Sequence, residues 1–301
     1  MDLLKRAEKS LEFHFERAAG IGAPPRLVEA MRHSVFSGGA RVRPQLVLSV
    51  AMACGEDDPE LTDAAACAVE LMHCASLVHD DMPAFDNADI RRGRPSVHKA
   101  FGEPLALLAG DALIVMAYQV ILNAGQAHPV RLVALMKNLS AGVGLPSGIV
   151  AGQAWECEVK ADLGQYQRAK TGALFVAATC AGALCCASDA TPWAALGANL
   201  GEAYQVADDI RDVMGQANLM GKPVGQDALH ARPSAASELG LDGAMAHFQS
   251  LIELAATSIP LCSHRELLQQ LVRREAERLV PSAAFAEYRL QQRAASQRMS
   301  A

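Results

Sequence analysis

Aromatic residues are scarce in this 301-residue chain, at 5% of the composition. The apolar half leans instead on Ala, Leu and Val, as helix-on-helix packing favours. Positive charge is not in excess either: 27 Lys and Arg stand against 33 Asp and Glu, for a net charge of −6. A nucleic-acid binder needs a basic face to neutralise phosphates, so that class is not expected. Any anionic ligand must be met by local clusters of cations or by bound metal. No Cys-x-x-Cys pair occurs among the eight cysteines, and Cys67, Cys74, Cys180, Cys185 and Cys186 sit inside apolar stretches. Reduced, buried thiols in a cytoplasmic protein are therefore expected, not a zinc site or disulfides. The N-terminal stretch from Met1 to Arg17 is charged and amphipathic, with no apolar signal core. Two stretches approach membrane-span length. Pro104 to Leu122 is broken by Asp111, while Thr171 to Ser188 is largely Ala, Gly, Cys and Thr. Both read as core helices, and no membrane span is expected.

Strand-type alternation is missing, as is any repeat with a period of about 20–50 residues. What is present is a series of long segments with apolar residues three to four apart, separated by short Gly/Pro punctuation. The spacing predicts helices over 2–19, 25–36, 41–54, 60–82, 104–123, 128–142, 147–160, 163–187, 191–216, 241–257, 263–280 and 283–298. The expected fold class is all-α, a large helical bundle, with residues 1–301 forming one domain. Two gaps are longer than the rest, Phe85 to Pro95 and Gly215 to Gly240. Each directly follows an acidic cluster, and long loops in a compact domain usually serve function.

The first cluster, Val78-His-Asp-Asp-Met-Pro-Ala-Phe-Asp86, closes an apolar helix. The second, Gln205-Val-Ala-Asp-Asp-Ile-Arg-Asp212, lies within another, with Asp208 and Asp212 four apart on one face. Asp80 and Asp86 are six apart, with Pro83 bending the chain between them. Adjacent carboxylates repel unless a cation sits among them. Hard oxygen donors with room for water and phosphate suit magnesium. One Asp pair alone is more often a solvated helix face. Two of them, each on an apolar helix and each followed by a long loop, point to a metal-held diphosphate.

Cations to match are also present. Ser37-Gly-Gly-Ala-Arg-Val-Arg-Pro44 opens a helix, and Arg41 and Arg43 there carry guanidinium forks suited to phosphate oxygens. Arg91-Arg-Gly93 lies in the loop after the first cluster, Lys170-Thr171 interrupts a helix, and Lys222 follows the second cluster. His73 by itself reads as a satisfied core histidine more readily than as a ligand.

Taken together, these residues resemble the trans-isoprenyl diphosphate synthases, the family of farnesyl and geranylgeranyl diphosphate synthases. The likeness rests on Gly38-Gly-Ala-Arg-Val-Arg-Pro44, Glu70-Leu-Met-His-Cys-Ala-Ser-Leu-Val-His-Asp-Asp81, Asp86 and Arg91-Arg-Gly93. It continues through Gly110-Asp-Ala-Leu113, Gly152-Gln153, Lys170-Thr-Gly-Ala-Leu174 and the second aspartate motif. The details Gly39-Ala-Arg, Gly152-Gln-Ala-Trp-Glu and Arg232-Pro-Ser-Ala look like the subgroup serving carotenoid and bacteriochlorophyll pathways in photosynthetic proteobacteria.

The resemblance implies that Asp80, Asp81, Asp86, Asp208, Asp209 and Asp212 hold about three magnesium ions against an allylic diphosphate. Arg91, Lys170 and Lys222 would grip that diphosphate, with Thr171 and Gln205 beside the carbon where positive charge develops. Arg43, His73 and Arg92 would bind isopentenyl diphosphate. The resemblance also implies a homodimer and an antiparallel helical bundle around a deep central cavity. The chain departs from the family at Ala40, where a lysine is usual, and Arg41 is the neighbour available to compensate. It departs also at Glu156, where aspartate is usual, and at Arg232-Pro-Ser-Ala-Ala in the second long loop. The residues after Pro281 extend past the family's common end.

The expected activity is condensation of isopentenyl diphosphate with an allylic diphosphate. The competing readings are a silent partner subunit of the same fold and a terpene cyclase or head-to-head synthase. Two intact aspartate motifs argue against the first. The second has no need of the Gly-Gly-x-Arg-x-Arg-Pro and Arg-Arg-Gly elements. Product length is expected to follow the helix ending in Asp80. Ala75 and Ser76 are small where farnesyl synthases carry a bulky blocker, so a tail could run roughly one turn, about 6 Å, deeper to Leu71 and Met72. That favours the twenty-carbon geranylgeranyl product over the fifteen-carbon farnesyl product.

Overall fold

The computed structural model describes residues 2–158, 166, 168–214 and 234–299. The described chain is a helical bundle. Helices α1 (Leu3–Ala19), α2 (Pro25–Val35), α3 (Val42–Ala53) and α4 (Pro59–Asp80) come first. A short ribbon, β1 (Ile90–Arg91) and β2 (Arg94–Pro95), leads to α5 (Val97–Phe101) and α6 (Glu103–Ala124). Then follow α7 (Pro129–Val143), α8 (Ile149–Trp155), a π turn (Arg168–Gly172), α9 (Ala173–Cys185) and α10 (Thr191–Met214). Helices α11 (Ala235–Ser258), α12 (Arg265–Leu279) and α13 (Ser282–Met299) complete the order.

Local chemistry sets the helix starts. Asp2 caps α1 by accepting from the Lys5 N–H, and Asp58 caps α4 from the Leu61 N–H, with Pro59 in the first turn. Each cap of this kind stabilises its helix by about 1 kcal/mol. Helix α9 is the hub: Leu174, Phe175, Ala177, Ala178, Cys180, Ala181 and Ala183 are all buried, and α3, α4, α7 and α10 pack around it. Its small side chains let neighbours come close. A methyl group added at Gly201 of α10 would lie 2.5 Å from the Cα of Gly172, so α10 can cross the π turn only with glycine there.

Four differences from the sequence reading have physical causes. The stretch 85–95 is not plain loop. Arg92 and Gly93 both take positive φ, 53° and 74°, and close a two-residue hairpin of the kind that twist favours. Two-residue strands are too short to show alternation. The predicted helix 163–187 is replaced, over its described part, by the π turn and then α9. The helix expected over 241–257 starts earlier, at Ala235, because a Ser234–Ser237 capping box holds its start and Gly240 absorbs a kink at φ 68°. Finally, α6 is not an all-round core helix. Leu107, Leu108, Val115 and Leu122 are exposed on it.

All eight cysteines are free, and burial pushes the Cys74 thiol up to about 12. Helices α4 and α6 are long and apolar enough to cross a membrane by length and composition, but α4 is mostly buried within the bundle.

Candidate active site

The two aspartate motifs sit at the ends of partly open stripes. On α4 the half-buried residues His73, Ser76, Leu77 and Asp80 recur at helical spacing, and on α10 Gln205, Asp208 and Asp212 do the same. The π turn joins them. Its Lys170 ammonium donates to Asp80 Oδ1 at 3.1 Å, and the adjacent Thr171 hydroxyl donates to Gln205 Oε1 at 3.1 Å. Two consecutive residues thus reach both motifs, which an ordinary α turn would aim differently; π turns of this sort concentrate at functional sites. Gly152 of α8 makes room, since a Cβ there would fall 2.3 Å from the backbone nitrogen of Lys170.

Within each motif the carboxylates are treated unequally. The Asp80 side chain keeps 14% of its surface and Asp208 keeps 42%, whereas Asp81 keeps 4%. Asp81 accepts a forked contact from Arg91, whose Nε lies 2.9 and 3.1 Å from its two oxygens and whose Nη2 also donates. Burial pushes the Asp81 carboxyl above its ordinary value, with Arg91 only partly offsetting it. Asp209, at 2% exposure, accepts from Gln205 Nε2 at 3.1 Å and from the Ala235 N–H at 2.7 Å. Asp208 pairs with Arg211 one turn on.

Lys170 has a second partner that the sequence reading did not assign. Glu156 Oε1 lies 2.7 Å from its ammonium, and Glu156 is itself held by the Tyr166 hydroxyl at 2.6 Å and Gln153 Nε2 at 2.9 Å. Burial opposes the Lys170 charge, but Asp80 and Glu156 outweigh it and raise the ammonium above its usual range. Lysine is therefore charged here at any physiological pH. The signal in the sequence was the Gln153–Glu156 spacing of one helical turn.

A basic pocket lies beside the first motif. The Arg43 guanidinium stacks over the Phe175 ring at 4.2 Å, and its buried Nε has no hydrogen-bond partner among the described residues. Arg92 reaches from the hairpin turn to the Gly38 carbonyl. A Cβ at Gly39 would meet the Arg92 guanidinium at 2.8 Å, and Gly38 and Gly39 take φ of 91° and 125°, so glycine is required there. His73 is pushed well below its ordinary value by burial, then by Arg43, Arg92, Arg91 and Arg41. It is a neutral imidazole in a positive field, which suits an incoming anion.

Arg41 is a correction. The sequence reading offered it to phosphate and as compensation for Ala40. Its side chain, 1% exposed, donates to Glu8 at 2.8 Å, to Glu70 at 2.8 Å and to the Val35 carbonyl at 2.6 Å. A buried guanidinium must satisfy its donors inside the protein, and this one does so with no fork left over. Ala75 also parts company with Ser76. Ala75 is fully buried, while Ser76 borders the open stripe and donates to the His73 carbonyl. Leu71 and Met72 are fully buried one turn deeper. Lys222 lies outside the described residues.

The donor set fits a hard divalent cation: carboxylate oxygens on two partly open helix faces, in a field strong enough to hold ammonium and guanidinium partners. Among the described residues no three carboxylate, His or Cys groups close around one point. The rest of a coordination shell would come from water and diphosphate, as magnesium sites commonly arrange.

An all-helical bundle with two aspartate motifs braced across a lysine-bearing turn, next to an arginine–histidine pocket, is the architecture of the isoprenoid synthases. Residues 24–258 match the family described as Polyprenyl synthetase, and the chain belongs to that family. It is 50% identical to the geranylgeranyl diphosphate synthase of Cereibacter sphaeroides over 282 residues, 94% of this chain and 98% of that one. The geranylgeranyl diphosphate synthase of Rhodobacter capsulatus is likewise 50% identical, over 95% of this chain and 99% of its own. Among solved structures, the Helicobacter pylori geranyltransferase complexed with magnesium and isoprenyl diphosphate superposes with a TM-score of 0.74 at 27% identity, over 94% of this chain and 98% of that one.

Proposed function

We propose that the protein, as a single domain, joins isopentenyl diphosphate to an allylic diphosphate and releases geranylgeranyl diphosphate. The observation that carries this reading is the pair Lys170 and Thr171, which ties the two aspartate motifs into one site. Half identity to two geranylgeranyl diphosphate synthases over nearly the whole chain supports the twenty-carbon product.

In this reading Asp80, Asp86, Asp208 and Asp212 hold magnesium, about three ions per site, with Asp81 and Asp209 as bracing members of the same set. Bound magnesium would supply Lewis-acid stabilisation of the leaving diphosphate. Lys170 and Arg91 place fixed positive charge beside the same group, the role that the family likeness assigns to Lys222 as well. The allylic C–O bond breaks and diphosphate departs. Thr171 and the Gln205 carbonyl oxygen present the negative ends of their dipoles to the allylic cation. Arg43, His73 and Arg92 hold isopentenyl diphosphate by its diphosphate so that its double bond attacks that cation. A proton then passes to the released diphosphate, which is why no side-chain base is needed. Ser76 borders the path of the growing tail, with Ala75 in the wall and Leu71 and Met72 below.

The exposed apolar stripe of α6, Leu107, Leu108, Val115 and Leu122, suits a second copy of the chain. A homodimer through this face predicts that Leu108→Asp with Val115→Asp sediments as a monomer. The function itself is tested by incubating the protein with labelled isopentenyl diphosphate and each allylic primer. Twenty-carbon diphosphate as the main product is expected; no chain growth with any primer would reject the reading.

A further inference from the structure

We infer that Asp209 is a positioning residue that sets which end of the Gln205 amide faces the reacting carbon. The inference rests on the reading above that Gln205 stands beside the allylic cation. Asp209 is buried, and both of its oxygens are engaged by the protein: Oδ1 accepts from Gln205 Nε2 at 3.1 Å and Oδ2 from the Ala235 N–H at 2.7 Å. A carboxylate can only accept, so the Gln205 nitrogen must turn toward Asp209. The amide oxygen then turns the other way, where it accepts the Thr171 hydroxyl at 3.1 Å. An unrestrained amide would gain or lose little by flipping. With the flip, two N–H donors would face a developing carbocation. Asp209 removes that choice. Its second oxygen also binds the first residue of α11, so the same carboxylate fixes the start of that helix.

A swap experiment tests this. In Asp209→Asn one oxygen remains for the Ala235 N–H, so the fold is expected to hold, as a thermal melt would show. The new amide nitrogen now faces the Gln205 nitrogen, donor against donor, and drives the flip. Turnover should fall about a hundredfold, the scale of one misplaced preorganised dipole. Binding of Mn2+ to the protein alone, followed by electron paramagnetic resonance, should barely change. Adding Gln205→Glu to Asp209→Asn restores an acceptor opposite the Asn nitrogen and oxygen toward Thr171. The double variant should recover at least about tenfold of the loss, a non-additive gain that simple damage does not produce. Loss of Mn2+ binding in Asp209→Asn, or a double variant no better than the worse single one, would overturn the assignment. Gln205→Leu separately tests the underlying reading: undiminished turnover there would remove Gln205 from the cation and take this inference with it.

Discussion

At the end of α4 the second aspartate of the pair, Asp81, meets a guanidinium; on α10 its counterpart Asp209 meets a side-chain amide and a backbone N–H. The dipeptides are identical in sequence, and both second carboxylates are buried. Their partners differ because their helices differ. Asp81 caps a helix that stops, and the hairpin that follows swings Arg91 back onto it. Asp209 lies inside a helix that continues, with Gln205 one turn behind it. The first motif is thus braced by a cationic side chain from the hairpin, while the second anchors a directional hydrogen-bond chain that runs from Asp209 through Gln205 to Thr171. One motif neutralises charge and the other orients a dipole.

The strongest way to break this comparison is to remove the more open carboxylate from either side. Asp80→Ala and Asp208→Ala should each lower turnover by about 10²–10³-fold or more, and chelating magnesium should abolish it. Near-normal steady-state rates for either variant at saturating magnesium would end the assignment. Next in size is Asp81→Ala. It removes the forked partner of Arg91 and leaves only the looser contact to Asp80 at 4.0 Å, which should cost about 1.5–3 kcal/mol of stability, visible as a lower melting temperature. Asp81→Ala is expected to raise the Michaelis constant for the allylic substrate, whereas Asp209→Asn acts on turnover.

The basic pocket sharpens the contrast. Arg43→Ala should raise the Michaelis constant for isopentenyl diphosphate about tenfold more than that for the allylic diphosphate. Equal effects on both would merge the two subsites. His73 adds a pH test. Its folded value is depressed, so the unfolded chain binds the extra proton first, and stability should fall as pH drops below about 6.5. His73→Gln should flatten part of that fall in denaturant titrations; His14, depressed to about 4 by burial, contributes to the remainder. The smallest effect on rate is reserved for Ala75. Ala75→Phe should shift the product from twenty to fifteen carbons with ionisation intact. If Ala75 is small only so that helices can pack, the same change should lower the melting temperature and leave product length alone, and Ser76→Phe should do the shortening instead.

Much of this was legible in one dimension. Helices announce themselves through three-to-four spacing, so most of their positions were readable. The aspartate clusters stood out because charge on an apolar helix is costly. Gly38-Gly39 could be read as allowing close approach, but what approaches is Arg92, which comes from the hairpin 53 residues further on than Gly39. The hairpin itself was hidden, since two-residue strands carry no period.

The sequence alone determined the helical class, the two magnesium-type carboxylate motifs and the supply of arginines and lysines, because these depend on residue type and on spacing within a single helix. Only the tertiary structure decided how those groups are spent. Arg41 and Arg43 are neighbours in sequence, yet one is enclosed by Glu8 and Glu70 and the other keeps an unpartnered Nε over Phe175. Asp80 and Asp81 diverge in the same way. A charged side chain's role is set by the partner it is buried against, and those partners lie from 10 residues away for Asp81 to 90 for Asp80, where no helical period records them.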